Sequence, residues 1–530
     1  MQLSVNNLSY SYINGVRALT NVDIQISSGE FVLLSGPNGG GKSTLLQAIL
    51  GILYEYYGGK ITGEITFGGK SVKNLGIKGL AGRVGFVLQD PGSQVCNLTV
   101  IEEATAALCN FLYPKKEVIS RSRDALKLMH LENLENVSVD TLSGGQLQRL
   151  AIASLLALRP KILILDEPLA NIDPEGVADV IDALKEIKKS VDIVIVATHW
   201  LDPFLELATR LIVLDSGKVT IDTDIEKLPK CFTAMKKAKV EVPHVMQIQR
   251  KLAGLHILTR IVKGKIFLPA NVTVMPVKRH NNGTGKDIVN LNDVFYRYPD
   301  GTLALKDITA VIKNGVRVAI IGHNGSGKST LARLAAGLRK QSKGKIQTLA
   351  SNIAMMPQKP GLGFITTTVA DEIAYGTTCS AREVAMWLER FDLSKYKDTS
   401  PFQLSGGEQR RLSLAIATVR PMDLLILDEP TAGLDAQQVQ FFEEILSTFT
   451  GASIYITHDP RIMGSFVQEV IVLKNGAIQF SGHTSDLTSR LYSDLGYASI
   501  NPTVALAMHY LSANLPTSPS QLEVQNASSI

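Results

Sequence analysis

The sequence predicts an α/β protein in which one structural unit occurs twice. Two short apolar runs, FVLLS (31–35) and VRVAII (316–321), are each followed by a glycine-rich turn and a helix-like segment. The runs ILILD (162–166) and LLILD (424–428) are apolar throughout. Such runs are typical of parallel strands that are buried on both faces. Together these observations predict an α/β fold for each unit.

Four motifs recur in the same order in both halves. GPNGGGKST (36–44) returns as GHNGSGKST (322–330), LSGGQ (142–146) as LSGGE (404–408), ILILDEP (162–168) as LLILDEP (424–430), and ATH (197–199) as ITH (456–458). A repeat of this length predicts two similar domains. We place the first domain at residues 1–228, an extension and linker at 229–287, the second domain at 288–485, and an extension with a disordered Ser- and Pro-rich end at 486–530.

The first half is longer between its motifs. Lys42 and Gln89 are 47 positions apart, whereas Lys328 and Gln358 are 30 positions apart. The additional segment, centred on residues 53–80, is rich in glycine and alternates apolar with polar residues. It predicts a longer strand-and-turn excursion near the edge of a sheet.

Composition argues against several classes of protein. The 530 residues are 45% hydrophobic, so they can form folded cores, and the net charge of +5 includes no long basic run that would favour nucleic-acid binding. The four cysteines lie far apart without a CxxC pair, so we expect neither zinc nor an iron–sulfur cluster. We see no signal peptide and no apolar run of about 18 residues. Any role at a membrane would therefore require a partner protein.

Each glycine-rich turn has the pattern GxxxxGKS between an apolar run and a helix. The glycines allow backbone N–H groups to point at phosphate oxygens, and the helix adds its positive N-terminal end. The lysines would reach the β- and γ-phosphates, and the serines would offer hydroxyl groups to Mg²⁺. The candidate nucleotide-binding residues are Gly36, Asn38, Gly39, Gly41, Lys42, Ser43 and Thr44 in the first half, and Gly322, Asn324, Gly325, Gly327, Lys328, Ser329 and Thr330 in the second.

Paired carboxylates follow one apolar strand in each half. Asp166 and Asp428 end these strands, where they would face the glycine-rich turn and hold the magnesium shell. The adjacent Glu167 and Glu429 can polarise an attacking water molecule. This arrangement predicts hydrolysis of the bound nucleotide.

Two further polar positions follow other strands in each half. Gln89 and Gln358 come after VGFVL and IAMMP and are candidates for the same magnesium shell. His199 and His458 end apolar runs and can contact a γ-phosphate and sense its loss. Either type of residue would say little alone, but the repeated order of the motifs favours a role in the site.

The LSGGQ and LSGGE motifs each precede a helical pattern. Ser143 and Ser405 are predicted N-caps, and the glycines that follow, Gly144, Gly145, Gly406 and Gly407, leave N–H groups open. Because a helix N-terminus attracts anions, each motif predicts a second phosphate-binding edge.

This set of motifs resembles that of the ABC ATPases over about residues 1–228 and 288–485. It includes an Asp loop, NID (171–173) and GLD (433–435). The resemblance implies two P-loop nucleotide-binding domains, each with a RecA-like α/β core, an antiparallel β subdomain and a helical subdomain. It implies a head-to-tail sandwich, in which Lys42 faces Ser405–Gly407 and Lys328 faces Ser143–Gly145. It also implies that Tyr12 and Tyr298 stack on adenine, although Tyr10 and Tyr296 are close neighbours.

Two functions are compatible with this resemblance. The segments after Gln89 and Gln358, and the Pro-containing segment 240–254, resemble the ATPases of energy-coupling-factor (ECF) importers, which take up vitamins or metal ions. This implies an ATP-hydrolysing subunit on the cytoplasmic face of the membrane, with separate integral membrane subunits as partners. The alternative is a tandem ABC ATPase that acts on ribosomes or nucleic acid. Residues 229–287 do not form the long charged helical linker of the ribosome-acting proteins, so we favour the importer and expect no direct nucleic-acid partner.

Two expectations concern the surfaces that bind the partner and a difference between the two ATP sites. The coupling surfaces should lie at residues 90–141 and 359–403, with Asp90, Glu102, Asp371 and Glu372 as candidate contacts. Glu408 stands where the family usually has Gln, and we expect its charge to lie beside the γ-phosphate bound by Lys42 and weaken that site.

Overall fold

The computed structural model describes residues 2–170, 172, 174–243, 245–247, 249, 250, 260–262, 265–267, 285–457 and 466–484 of the chain. For 174, 175, 260–262 and 265–267 it describes the backbone alone. Two α/β units follow one another, and the predicted fold class is confirmed. Among the described residues, no helix has both the length and the apolar character needed to cross a membrane.

The first unit combines an antiparallel sheet, a parallel core sheet and a layer of helices. Its strands are β1 (Gln2–Tyr12), β2 (Arg17–Ser27), β3 (Phe31–Ser35), β4 (Gly59–Phe67), β5 (Lys70–Ser71), β6 (Val84–Val87), β7 (Ile162–Asp166), β8 (Ile193–Ala197), β9 (Arg210–Asp215) and β10 (Lys218–Asp224). Its helices are α1 (Lys42–Ile49), α2 (Ile52–Glu55), α3 (Val72–Leu80), α4 (Val100–Asn110), α5 (Lys115–Leu128), α6 (Gly144–Leu156), α7 (Pro174–Ile187) and α8 (Phe232–Lys237).

The strand order of the core sheet is β10-β9-β3-β8-β7-β6, and β10 alone runs antiparallel to its neighbour. The smaller sheet has the order β2-β1-β4-β5 and is antiparallel. Because β3, β7 and β8 are parallel neighbours, their carboxyl ends meet at one edge of the core sheet. This edge is where an open α/β sheet binds its ligands.

Burial on both faces of the core sheet explains its uninterrupted apolar strands. Along β3, Phe31 and Leu33 belong to the hydrophobic cluster formed with α4–α7, while Val32 and Leu34 belong to the cluster formed with α1 and the antiparallel sheet. All four side chains are buried. Consecutive residues of a strand point to opposite faces, so a strand between two layers must be apolar at every position.

The second unit repeats this plan. Its strands are β13 (Asp287–Arg297), β14 (Leu303–Lys313), β15 (Arg317–Gly322), β16 (Lys343–Thr348), β17 (Ile353–Met356), β18 (Leu424–Asp428), β19 (Ala452–Ile456), β20 (Glu469–Lys474) and β21 (Ala477–His483). Its helices are α9 (Lys328–Ala335), α10 (Val369–Ala374), α11 (Ala381–Arg390), α12 (Gly406–Thr418) and α13 (Ala436–Ser447). The core order is β17-β18-β19-β15-β20-β21, and the antiparallel sheet has the order β14-β13-β16.

The additional residues of the first unit extend its antiparallel sheet. The segment contains α2, β4, β5 and α3, whereas the second unit has β16 alone between α9 and β17. The predicted strands and turns are present at the sheet edge, but helix α3 was not predicted. The helix is interrupted at Gly76, which has a φ of 61°. Because its sequence is rich in glycine, it shows no regular helical pattern.

The core of the first unit continues beyond residue 228. Met235 on α8 is fully buried, and Val240, Val242 and Met246 are buried in the same cluster as α4–α7. The extension therefore packs on the first unit in this region. Strands β11 (Arg260–Val262) and β12 (Lys265–Phe267) pair with each other as an antiparallel ribbon. The predicted disordered end at 486–530 lies outside the described residues.

Candidate active site

The glycine-rich turn after β3 is shaped by a close approach of two backbone segments. Gly36 has a φ of 147°, and a Cβ placed on it would lie 1.9 Å from the carbonyl oxygen of Leu214 on β9. Gly322 has the same relationship to Leu473, at 2.1 Å. No other residue fits at either position without moving a strand of the core sheet, so these glycines fix the path of the turn.

The lysine of each turn is folded back into the loop. Nζ of Lys42 donates to the carbonyl oxygens of Gly36 at 2.7 Å and Pro37 at 3.1 Å. Lys328 makes the equivalent bonds to Gly322 at 2.6 Å and His323 at 2.9 Å. Burial lowers the pKa of Lys42, and the carboxylates of Glu167, Asp166 and Asp435 partly oppose this shift. The charged ammonium groups are thus held where an anion would bind.

The paired carboxylates have an unusual backbone in both halves. Glu167 and Glu429 each have a φ of 47°, although neither is a glycine. Their N–H groups donate to the carbonyl oxygens of Ala197 and Ile456, both at 2.8 Å. A left-handed conformation of this kind is costly and is often found at functional positions. The repeated strain indicates a shared requirement on the direction of these side chains.

The aspartates at the strand ends lie beside the P-loop serines. Ser329 Oγ donates to Asp428 Oδ2 at 3.1 Å, and Asp166 accepts a hydrogen bond from Ser43. Burial raises the pKa of both aspartates, and the serine hydroxyls oppose that rise. A hydroxyl next to a carboxylate is a ligand set that Mg²⁺ prefers, so the residues present fit this ion. Gln89 lies at the same cavity, whereas Gln358 is exposed in the loop after β17.

Glu167 has the environment of a general base. Its pKa is raised to about 7, chiefly by burial, which Lys42 opposes and Asp166 reinforces. Thr198 Oγ1 donates to Glu167 Oε2 at 3.2 Å. The buried Oε1 has no hydrogen-bond partner among the described residues. A carboxylate with a proton affinity near neutral pH and an available oxygen is suited to accept a proton from water.

His199 connects this base to the P-loop. Its Nε2 atom lies 2.9 Å from Asn38 Oδ1, 3.3 Å from Lys42 Nζ and 3.5 Å from Glu167 Oε1. His199 therefore lies at this cavity, and its role as a γ-phosphate sensor stays a prediction. His458, its equivalent in the second half, lies outside the described residues.

These groups meet in one cavity of about 310 Å³. The predicted residues that line it are Tyr12, Asn38, Gly39, Gly41, Lys42, Ser43, Thr44, Gln89, Asp166, Glu167 and His199. Val16, Arg17, Ala18 and Gly40 also line it, although the sequence analysis did not single them out. The lining also includes Gly433, which comes from the Asp loop of the other half.

The two tyrosines at the end of β1 have different surroundings. Tyr12 lines the cavity, and its hydroxyl lies 3.0 Å from Thr44 Oγ1. Tyr10 is 1% exposed and donates to the carbonyl oxygen of Gly58 at 2.9 Å. Tyr298 forms the equivalent contact with Thr330 at 2.8 Å. These positions support Tyr12 and Tyr298, rather than their neighbours, as the rings beside a nucleotide.

The LSGGQ (142–146) and LSGGE (404–408) segments are the signature motifs, and their helices begin as predicted, at caps formed by serine. Ser143 accepts from the N–H of Gln146, and Gln146 Oε1 accepts from the N–H of Ser143 at 2.9 Å. Glu408 takes the place of Gln146 at the second cap and accepts from the N–H and the hydroxyl of Ser405 at 2.8 and 2.7 Å. These reciprocal bonds are a capping box.

The expected direction of Glu408 was wrong. Its carboxylate is turned to its own helix cap, where it also accepts a hydrogen bond from the hydroxyl of Tyr396. Burial raises the pKa of Glu408, but the hydrogen bonds from Tyr396 and Ser405 outweigh it, so that the net pKa lies below the ordinary value. The capping position explains this direction, because the third residue of a helix reaches back toward the cap.

The two halves meet at the first P-loop. The N–H of Asn38 donates to Asp435 Oδ2 at 2.8 Å, and Asn38 Nδ2 donates to Gln438 Oε1 at 2.7 Å. A Cβ placed on Gly407 would lie 2.6 Å from Nε2 of the same glutamine. Gln438 thus lies between the second signature and the first P-loop. The described lining of the cavity does not include Ser405–Gly407, so direct pairing with Lys42 stays a prediction, as does pairing of Lys328 with Ser143–Gly145.

Thr198 and Gln438 were missed by the sequence analysis. Thr198 belongs to the repeated ATH and ITH motif, which was interpreted through its histidine alone. The difference at Gln438 can be seen when the halves are aligned on their Walker B aspartates, Asp166 and Asp428, because Gln438 then stands opposite Gly176. Its importance became clear only from its contact with the other half.

Comparisons with known proteins agree with this geometry. A family model described as "ABC transporter" matches residues 19–170 and 305–432, which make up more than half of the chain. A candidate ABC transporter ATP-binding protein of Methanosarcina mazei is 32% identical over 91% of this chain and 89% of its own length. YkoD of Bacillus subtilis, a candidate HMP/thiamine import ATP-binding protein, is 31% identical over 92% of each chain.

A solved structure has the same fold over most of the chain. It is called RNase-L Inhibitor and matches 92% of this chain and 93% of its own, with a TM-score of 0.64 and 19% identity. This likeness concerns the fold alone. The family match, the long relatives and the repeated P-loop, Walker B and signature motifs lead to one conclusion: the chain belongs to the ABC transporter family, as an ATP-hydrolysing protein with two ABC ATPase domains.

Proposed function

We propose that this chain is the energy-coupling subunit of an ECF-type importer, placed on the cytoplasmic face of a membrane and bound to separate integral membrane subunits. The observation that supports this proposal most is the similarity of the whole two-domain chain to YkoD. The name of YkoD assigns that relative to HMP/thiamine import. The match covers 92% of both chains, so it includes both domains and the region between them.

The residues of the first site divide the work of hydrolysis. The P-loop N–H groups and Lys42 bind the phosphates, and Tyr12 lies against the base. Ser43, Gln89 and Asp166 would hold Mg²⁺, which neutralises charge on the β- and γ-phosphates when bound. Glu167 Oε1 accepts a proton from the attacking water. His199, hydrogen-bonded to Asn38, holds its ring toward the position of the γ-phosphate.

The second site has the same set where the structure describes it. Lys328, Ser329 and Asp428 repeat the contacts of the first site, and Glu429 repeats the strained backbone of Glu167. We therefore propose that both sites hydrolyse ATP. Closure of the two domains around ATP would move their helical layers together, and a partner bound to both layers would change shape with them.

The helical layers have exposed apolar side chains in the regions expected to bind the membrane subunits. In the first half, Leu98 is 76% and Leu112 is 90% exposed. In the second half, Leu362 is 80% and Phe402 is 61% exposed. In the second half Phe402 packs against Phe364 and lies close to Gly361, next to Leu362 in the chain, and this exposed apolar surface supports docking of another protein.

The acidic residues suggested for this contact also bond within the chain, and Glu372 alone among them is buried. Asp90 caps a 3-10 turn, and Glu102 and Asp371 bond to the helix caps Thr99 and Thr368. Glu372 is 3% exposed and accepts hydrogen bonds from the N–H groups of Ile365 and Thr366. The apolar residues are therefore better targets for disrupting a partner contact.

The test is affinity purification of the full chain from detergent-solubilised membranes of its own host. The native chain should retain an integral membrane protein at fixed stoichiometry, and a Leu362→Asp/Phe402→Asp variant should lose it while keeping its ATPase activity. Ile13→Asp, at an exposed residue outside the helical layers, is the control. Retention of ribosomes instead of a membrane protein would favour the alternative function.

A further inference from the structure

The cap of helix α13 also forms the contact with the other half. Asp435 Oδ1 accepts from the N–H of Gln438 at 2.8 Å, and Gln438 Oε1 accepts from the N–H of Asp435 at 3.2 Å. These reciprocal bonds close a capping box on the helix. Asp435 Oδ2 and Gln438 Oε1 then each accept from Asn38. One side chain and one N–H group of the first P-loop are thus held by two residues of the second half.

The donor and acceptor roles in this contact also determine which atom of Asn38 faces His199. Since the N–H of Asp435 can only donate, the oxygen of Gln438 must face it, and Asn38 must present Nδ2 to that oxygen. Asn38 Oδ1 is then directed at His199 Nε2, 2.9 Å away. Because an amide oxygen can only accept, this shorter contact favours a proton on Nε2 of the imidazole, which then donates to Asn38 and does not accept from Lys42 Nζ at 3.3 Å.

The equivalent position of the first half cannot make this contact through a side chain. Aligning Asp166 with Asp428 places Gly176 opposite Gln438. The two signatures pack differently as a result. A Cβ on Gly145 would meet the Cα of Gly176 at 3.1 Å, whereas a Cβ on Gly407 would meet the amide of Gln438 at 2.6 Å. The helix that follows the Asp loop therefore presents an amide side chain in one half and only backbone in the other.

We propose that Gln438 is a positioning residue that grips Asn38 across the two halves and thereby sets the orientation and protonated nitrogen of His199 in the first ATP site. The grip has no side-chain counterpart at Gly176. It makes the two ATP sites chemically unequal. The proposal depends on the ATPase chemistry of the site and not on the identity of a transported substrate.

The first test measures hydrogen exchange of the Asn38 amide in the nucleotide-free full chain. Gln438→Ala removes the acceptor of the Asp435 N–H and of Asn38 Nδ2, so the Asp435 carboxylate that binds the Asn38 N–H is held less firmly. Exchange of the peptide covering residues 36–42 should speed up by roughly five-fold, the factor that one neutral hydrogen bond typically represents. Gln438→Glu keeps an acceptor oxygen at the same place and should restore the native rate. Gln440→Ala is the matched control, because Gln440 is exposed on the same helix and its side chain bonds to Glu444 within that helix. Unchanged exchange in Gln438→Ala, or equal acceleration in Gln440→Ala, would overturn the proposal.

The second test separates the two sites by their rates. In a Glu429→Gln background, where turnover depends on Glu167, Gln438→Ala should lower kcat by about five-fold or more with little change in KM. In a Glu167→Gln background the same substitution should change kcat by less than about two-fold, and Gln438→Glu should rescue the first effect. Equal losses in both backgrounds would show a general structural role and contradict the assignment.

Discussion

Oε1 of Glu167 lies 3.5 Å from Nε2 of His199, which places the candidate base and the candidate γ-phosphate sensor in contact within one cavity. The same histidine is bonded to Asn38, which is in turn held by the second half of the chain. Hydrolysis and the association of the two halves therefore share a connected set of side chains.

The first prediction concerns the two glutamates. Glu167→Gln and Glu429→Gln should each slow turnover at their own site by about 10²-fold, because an amide cannot accept the proton from water. ATP binding should persist, since the P-loop lysines and N–H groups are unchanged. Steady-state ATPase assays and nucleotide binding by calorimetry provide the measurement. A single variant with the native ATPase rate would identify its site as non-catalytic.

The second prediction concerns how the halves associate. Both ATPase domains belong to one chain and already contact each other at Asn38 and Asp435, so ATP should close them within a single molecule. The Glu167→Gln/Glu429→Gln variant should become more compact on addition of ATP and Mg²⁺, with no change in molar mass. Small-angle scattering combined with light scattering measures both quantities. An ATP-dependent doubling of the mass would mean that domains from two chains pair instead.

The third prediction concerns Tyr396 and Glu408. The folded pKa of Glu408 is lowered, so the hydrogen bond from Tyr396 contributes stability above the ordinary pKa of about 4.5 and loses that contribution as the pH falls through the folded pKa. Tyr396→Phe should cost about 1 kcal/mol at pH 7, seen as a Tm lowered by roughly 2–4 °C, and less at pH 4.

The control for this comparison is Tyr375→Phe, at a tyrosine that is 56% exposed in the same helical layer. It should leave the Tm unchanged at both pH values. If Tyr396→Phe lowers the Tm equally at pH 4 and pH 7, the lost stability comes from packing of the ring and not from the hydrogen bond of its hydroxyl to the carboxylate.

The fourth prediction concerns the buried carboxylate of Glu372. Glu372→Gln should loosen the segment at 365 and 366, because a neutral amide oxygen is a weaker acceptor for the two N–H groups and the Thr366 hydroxyl that it now binds. We expect a cost of about 1–3 kcal/mol in local stability. Hydrogen exchange of residues 359–368 should accelerate while ATP binding is retained. Unchanged exchange would assign the stability of this segment to other contacts.

Much of the fold was predictable because the strands are buried on both faces and the turns require glycine. Phe31–Ser35 and Leu424–Asp428 could be recognised as core strands, and the helix caps at Ser143 and Ser405 could be placed to the residue. Most of the first cavity could likewise be assigned, since its polar residues follow the carboxyl ends of neighbouring parallel strands.

What the sequence could not predict depends on contacts between distant residues. The direction of Glu408 follows from its capping box with Ser405, whereas its further bond from Tyr396, twelve positions earlier, has no local sequence signal. The role of Gln438 depends on Asn38, four hundred positions away in the chain. Helix α3 escaped prediction because Gly76 interrupts its period. The contacts of Glu408 with Tyr396 and of Gln438 with Asn38 depend on tertiary packing, whereas the break in α3 is local.

We propose that closure of the two domains around ATP changes the conformation of a membrane partner. The most direct measurement reconstitutes the chain with its co-purified membrane protein in lipid nanodiscs and follows, by distances between spin labels on that membrane protein, its response to ATP and Mg²⁺. We expect an ATP-dependent shift in these distances that persists in the Glu167→Gln/Glu429→Gln variant, which traps ATP. The shift should disappear in Leu362→Asp/Phe402→Asp. An absent shift, or one that survives loss of the apolar surface, would contradict this proposal.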